Sequence, residues 1–215
     1  MSALWAIGCY GDAAGRRAPW RISHEEIHRD IGNASAVVAA LGLTGRRVLW
    51  CSMLAEAGQM WPYVCGSFLA GAKLSCADAT AGEAARVAMF LRLMEYDAVF
   101  GITEAILDGL DEMQRPYADV FAGVRLVGAH PGAYERLQRA GLAPVRFLYC
   151  GPAVAIGAEP DGPACVVTEE WELSHADEDE RVCVTARRPR AQEFVRTPTR
   201  ARGAIIEGGV IPCAS

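Results

Sequence analysis

His130 and Cys150 are the two side chains whose types and spacing best suit chemistry in this chain. His130 stands just before Pro131, at the end of the apolar run GVRLVGA, and Cys150 closes the next apolar run, VRFLYC. Both runs read as strands, and open α/β sheets bind their ligands beyond the carboxyl ends of strands. A thiol and an imidazole meeting there would make a nucleophile and its base. The same spacing equally fits a loop histidine and a core thiol, and spacing alone does not choose between them.

The remaining reactive residues have plainer readings. His24 and His28 in HEEIH fit the formal metalloprotease pattern. Ser23 and Glu26, however, mark that stretch as an exposed helix start, and no third ligand is evident, so no metal site is expected. His175 sits in SHADEDE, which reads as a solvated acidic hairpin tip. The stretch FVRTPTRARG carries Arg196, Arg200 and Arg202, whose planar forks suit phosphate oxygens. Trp61, Tyr63 and Phe68 read as core residues of a helix, with an acyl or aryl pocket wall as the other reading.

The elements that must position these residues follow from composition and pattern. The chain has 215 residues and is 52% hydrophobic, enough for a proper core. Its formal charge of −5 excludes a general nucleic-acid binder. Of 21 basic residues only Lys73 is a lysine. The opening MSALWAIGCYGD has no basic flank or long apolar run, so no secretory signal is expected. No run of about 18 apolar residues predicts a membrane helix, and the expected compartment is the cytoplasm. The eight cysteines form no CxxC pair and lie in apolar runs, which predicts buried, reduced thiols.

Ser23 and Glu26 form a capping box ahead of Ile27, Ile31, Ala34, Val38 and Leu41 at helical spacing, closed by Gly42. RRVLWCS, KLSC, DAVFGI, GVRLVGA and VRFLYC read as strands. The segments between them read as helices, including one with Pro62 inside and one beginning at Pro131. This alternation predicts an α/β fold, a parallel sheet flanked by helices, over residues 1–151. Residues 152–215 lose the helical period and predict a small, mostly β region. EEWELSHADEDERVCVTARRP would form two strands there, and QEFVRT and GAIIEGG two more.

The order AALGLTGRRVLWCS, VCGSFLAGAKLSCADAT, a helix over 82–95 and then DAVFGITEAI resembles the adenylate-forming acyl/aryl-CoA ligase superfamily. CVVTEEWELSHADEDERVCVTARRPRAQEFVRTPTR is similar to its phenylacetate-CoA-ligase branch, with Trp171, Glu172, Thr185, Arg187 and Arg196 in step. The resemblance implies a ligand crevice formed by Tyr149, Gly151, Trp171 and Arg196. It also exposes departures. The Ser/Thr/Gly-rich phosphate loop ending in lysine has no counterpart. The Tyr-Gly-x-Thr-Glu motif falls at Tyr149, Cys150 and Gly151 without its threonine or its magnesium-binding glutamate. The ribose-holding aspartate has no match after Arg196, and the comparison leads us to expect no mobile C-terminal domain and the loss of a block between about Asp111 and Gly123.

Adenylation depends on electrostatic stabilisation of the transferring phosphate. The expectation is therefore a non-adenylating ligase relative with no cofactor, binding a partner protein, an acyl carrier or a like subunit. The alternative is an ATP-independent enzyme acting on an acyl thioester or small aromatic molecule near His130, Cys150 and Arg196. Neither nucleic acid nor membrane is an expected partner.

Overall fold

The computed structural model describes residues 3–176 and 179–213. Helix α1 (His24–Ala40) starts as its sequence dictates: Ser23 Oγ accepts from the Glu26 amide at 3.2 Å, and Glu26 Oε2 accepts from the Ser23 amide at 2.7 Å. The chain leaves it through Gly42, at φ 70°. Then follow β3 (Arg47–Ser52), a single 3-10 turn (Leu54–Glu56), α2 (Ala57–Leu69, with Pro62 inside) and β4 (Lys73–Asp78). Next come α3 (Ala84–Met94), β5 (Ala98–Ile102), α4 (Glu104–Glu112), the short α5 (Tyr117–Val120), β6 (Leu126–Ala129), α6 (Pro131–Arg139) and β7 (Val145–Cys150). Thr103 caps α4 through its hydroxyl, and Pro131 opens α6, where a missing N–H costs nothing.

Strands β4, β3, β5, β6 and β7 lie side by side in that order, all parallel. Alternation along them splits the core. Val48, Trp50, Phe100 and Phe147 face α1 and α2, whereas Leu49, Cys51, Val99 and Ala129 face α3, α4 and α6. Gly128 is required beneath the aromatic stack, since a Cβ there would lie 2.3 Å from the Phe100 ring.

The change of character after residue 151 is a change of strand direction. Strand β8 (Ala153–Gly157) pairs antiparallel with β7, and the sheet continues through β9 (Ala164–Cys165) and β13 (Gly209–Pro212) to β12 (Thr197–Ile206), β11 (Asp179–Ala186) and β10 (Trp171–Ala176). The result is one eleven-stranded sheet, parallel at one end and antiparallel at the other. The fold is thus α/β, with a mostly β carboxyl region.

Two local expectations are corrected and one further element is found. Residues before Ser23 form the hairpin β1 (Leu4–Gly11) and β2 (Arg17–Ser23). QEFVRT and GAIIEGG are not two strands: TPTRARGAII is one continuous strand. Its Thr197, Pro198 and Arg202 pair with β11, and its last four residues pair with β13. Finally, all eight cysteines are free but not all buried: Cys76, Cys165 and Cys213 are exposed.

Candidate crevice at the carboxyl edge of the parallel strands

The chain runs outward from β3 to β4, then crosses back to β5, so strand order reverses between β3 and β5. Such a reversal opens a crevice at the carboxyl ends. At that edge β5 bulges at Gly101 (φ 85°), where a Cβ would collide with the Cys51 carbonyl.

His130 leaves β6 at this edge. Its amide donates to the Ile102 carbonyl at 2.9 Å, and it occupies the N-cap position of α6. Its ring lies 5.1 Å from Phe147, edge-on, and 5.1 Å from Tyr149. Burial pushes the His130 pKa down to about 4, so the imidazole is neutral at neutral pH. The Tyr149 hydroxyl donates to Glu56 Oε2 at 3.2 Å, and the same oxygen accepts the Met53 amide at 3.0 Å. Burial, reinforced by the Glu56 charge, raises the Tyr149 pKa well above its ordinary value. Gln59, nearly fully buried, donates to the Gly151 carbonyl at 2.9 Å. The crevice is therefore lined by the protein's own neutral imidazole, a phenol and a carboxylate. Among the described residues no lysine or arginine contacts His130, Tyr149 or Glu56. Lys73 opens β4, so it stands at the amino edge of the sheet, opposite the crevice.

The structure does not bring His130 and Cys150 together. Phe147 and Tyr149 occupy one face of β7, and His130 packs on both. Cys150 is on the other face, in a cluster with Tyr10, Trp20 and Val184. Burial pushes its thiol up to about 12, which makes it a small hydrophobe and not a nucleophile at neutral pH. Glu56 escaped the sequence reading; its only signal is its place in the turn that follows β3.

The other candidates lie elsewhere. Gly151 (φ 61°) turns the chain into β8, close to Thr199. Trp171 is buried against Phe194, and the Arg190 guanidinium sits 4.2 Å above its ring. Arg190 is fully buried and bonds to Asp30 and Glu170 at 2.9 Å, with Glu26 at 3.8 Å; Arg29 also pairs with Glu170. Trp171 thus forms one wall of a buried ion cluster that no sequence pattern announces.

Arg196 (φ 43°) is exposed. Its amide donates to Thr185 Oγ1 and its guanidinium to the His175 carbonyl, holding it on the β10–β11–β12 end. Arg200 and Arg202 alternate with the inward Thr199 and Ala201 along the outer side of β12. His24 and His28 are exposed with ring centroids 6.4 Å apart, and among the described residues no three His, Cys, Asp or Glu side chains gather as a metal-binding group. Tyr63 is buried, but Trp61 (46% exposed) and Phe68 (77%) lie on the outer side of α2 and are not core residues.

Solved structures of adenylate-forming acyl- and aryl-CoA ligases superpose on the chain, and its fold is similar to theirs. A 2-hydroxyisobutyryl-CoA ligase in complex with 2-HIB-AMP and CoA matches with a TM-score of 0.67 at 14% identity, over 91% of this chain and 46% of the ligase. The o-succinylbenzoate CoA synthetase MenE from Bacillus subtilis matches with a TM-score of 0.61 at 14% identity, over 98% and 48%. The N-terminal subdomain of Klebsiella oxytoca NpsA, in complex with 3-hydroxyanthranilyl-AMSN, matches with a TM-score of 0.63 at 12% identity, over 98% and 64%. The chain thus spans about half the length of the two ligases. No protein-family model matches it, and no curated protein is similar to it in sequence. Among the described residues no helix is long and apolar enough to cross a membrane.

Proposed function

We propose that this chain is a non-adenylating protein of the ligase fold whose role is to bind a partner protein, an acyl carrier or a second copy of itself. The observation that carries the reading is the lining of the crevice: His130 lies against Phe147 and Tyr149, and Tyr149 is tied to Glu56. The phosphate of a bound adenylate would need cationic or N–H donors aimed at it. The crevice presents a carboxylate instead, and the chain's one lysine is at the far edge of the sheet.

Association is favoured by apolar side chains left in solvent. Trp61, Phe68 and Leu69 project from α2, and Leu4, Trp5 and Ile7 from the neighbouring strand β1. Exposed apolar groups gathered on adjoining elements mark interaction surfaces. The alternative, ATP-independent catalysis by His130 and Cys150, loses support because the two side chains occupy opposite faces of β7.

Two measurements test the proposal. Carboxylate-dependent pyrophosphate exchange is expected to stay at background with aliphatic and aromatic acids; exchange above background with any of them would refute the loss of adenylation. Light scattering at micromolar concentration is expected to show a dimer or a retained partner. A monomer that co-purifies with nothing would refute the binding role.

A further inference from the structure

A cavity of about 220 Å³ lies between α6, β7 and β13, lined by Arg146, Tyr134, Gln138, Phe147, Leu148 and Pro212. Along β7, Arg146 and Leu148 alternate with Phe147 and Tyr149; Tyr149 belongs to the crevice alone, and Phe147 borders both. The cavity has a built polar side. Tyr134, 5% exposed, bonds through its hydroxyl to Asp161 at 3.0 Å, and Gln138 donates to both. The Arg146 guanidinium lies 4.6 Å over the Tyr134 ring, and its Nη1 donates to the Gly162 carbonyl at 2.6 Å.

Arg146 differs from Arg29, Arg190 and Arg136. Arg29 and Arg190 are each satisfied by carboxylates, and Arg136 is held by Asp108 and Asp111. Arg146 is fixed only by an aromatic ring and a carbonyl, and among the described residues no carboxylate lies within ion-pairing distance of it. A half-buried guanidinium that is oriented by neutral groups and faces a cavity keeps part of its donor fork for an anion.

We infer that this cavity binds a small monocarboxylic acid, its carboxylate on Arg146 and its compact apolar body against Leu148 and Pro212. Size limits the ligand: the cavity is below the roughly 300 Å³ at the lower end of ordinary ligand pockets, which suits a short branched or single-ring acid. Glu135 also lines the cavity, and its charge favours a monoanion over the more highly charged phosphate. The inference stands independently of the partner-binding role, because none of the exposed apolar residues of α2 and β1 lines this cavity.

The test is titration of the full chain, followed by NMR, with benzoate, isobutyrate, the neutral isostere benzamide and inorganic phosphate. Benzoate or isobutyrate is expected to shift signals of α6 and β7 and to bind at least about tenfold more tightly than benzamide or phosphate, the scale of a charge-assisted hydrogen bond. Arg146→Met is expected to remove that preference, and Arg146→Lys to keep part of it. If Arg146→Met does not fold, Gln138→Trp, at an exposed position that lines the cavity, puts an indole into it and is expected to abolish binding. Equal binding of benzoate and benzamide, tighter binding of phosphate, or undiminished binding in either Arg146→Met or Gln138→Trp would overturn the inference.

Discussion

His130 shows how one residue can be read correctly for place and wrongly for partner. Its position before Pro131 puts it at a strand end, and it is there. The partner was also readable: in VRFLYC, Phe147 and Tyr149 share a face and Cys150 does not, so strand alternation alone separates the imidazole from the thiol. What the sequence does not carry is the solvent environment of the ring, which depends on Phe147 and Tyr149 closing over it. That environment has a measurable consequence. The folded pKa of about 4 lies below the ordinary value of 6.5, so between these values the unfolded chain binds more protons. This contribution to stability is complete above the unfolded pKa and is lost as pH falls toward the folded one. Going from about pH 7.5 to about pH 5 is expected to cost His130's share of about 2 kcal/mol. Urea denaturation of the wild type and His130→Phe at both pH values isolates it; an equal loss in the two proteins would show that the imidazole is not buried neutral.

At the scale of elements, the strongest local signals placed α1 and α6: a capping box and a proline at the first helical position. Strand β12 was missed because Pro198 reads as a break. The strand tolerates it because its amino half pairs with β11 and only its carboxyl half with β13, so the absent donor faces no β13 partner. The Arg190 cluster was invisible for a different reason: its members come from α1, from the residue before β10 and from the loop after β11, and only the finished fold assembles them. The cluster latches α1 to the antiparallel end. Arg190→Met leaves Glu26, Asp30 and Glu170 with Arg29 as their only other cation and is expected to destabilise by about 3–5 kcal/mol. An urea midpoint close to wild type would show that the carboxylates are not charged in the folded state.

At the scale of the molecule, the alternation of strands and helices was enough to predict a parallel sheet and its class, because each crossover is a local decision. The continuation of that sheet through the antiparallel strands was not, since it depends on pairings such as β13 with β9 across more than forty positions. The outer surface of α2 was misread for a related reason: a helix hydrophobic on most sides looks the same whether its second face is covered or bare. Substituting Trp61 and Phe68 together by glutamine is expected to change stability by less than about 0.5 kcal/mol per site, because both are exposed. The same change is expected to weaken association measurably by light scattering. Unchanged association would move the contact to another face.

The hairpin β1–β2 docks on strands from the other end of the chain: Tyr10 and Trp20 pack on Phe194, and Asp12 bridges to Thr199. During synthesis these residues emerge long before the strands that receive them. The parallel βαβ portion can form from contacts close in sequence, but the hairpin must wait, with Trp20 and Ile22 uncovered, until β12 is released. Nascent chains stalled before residue 194 should therefore be the form most in need of a chaperone.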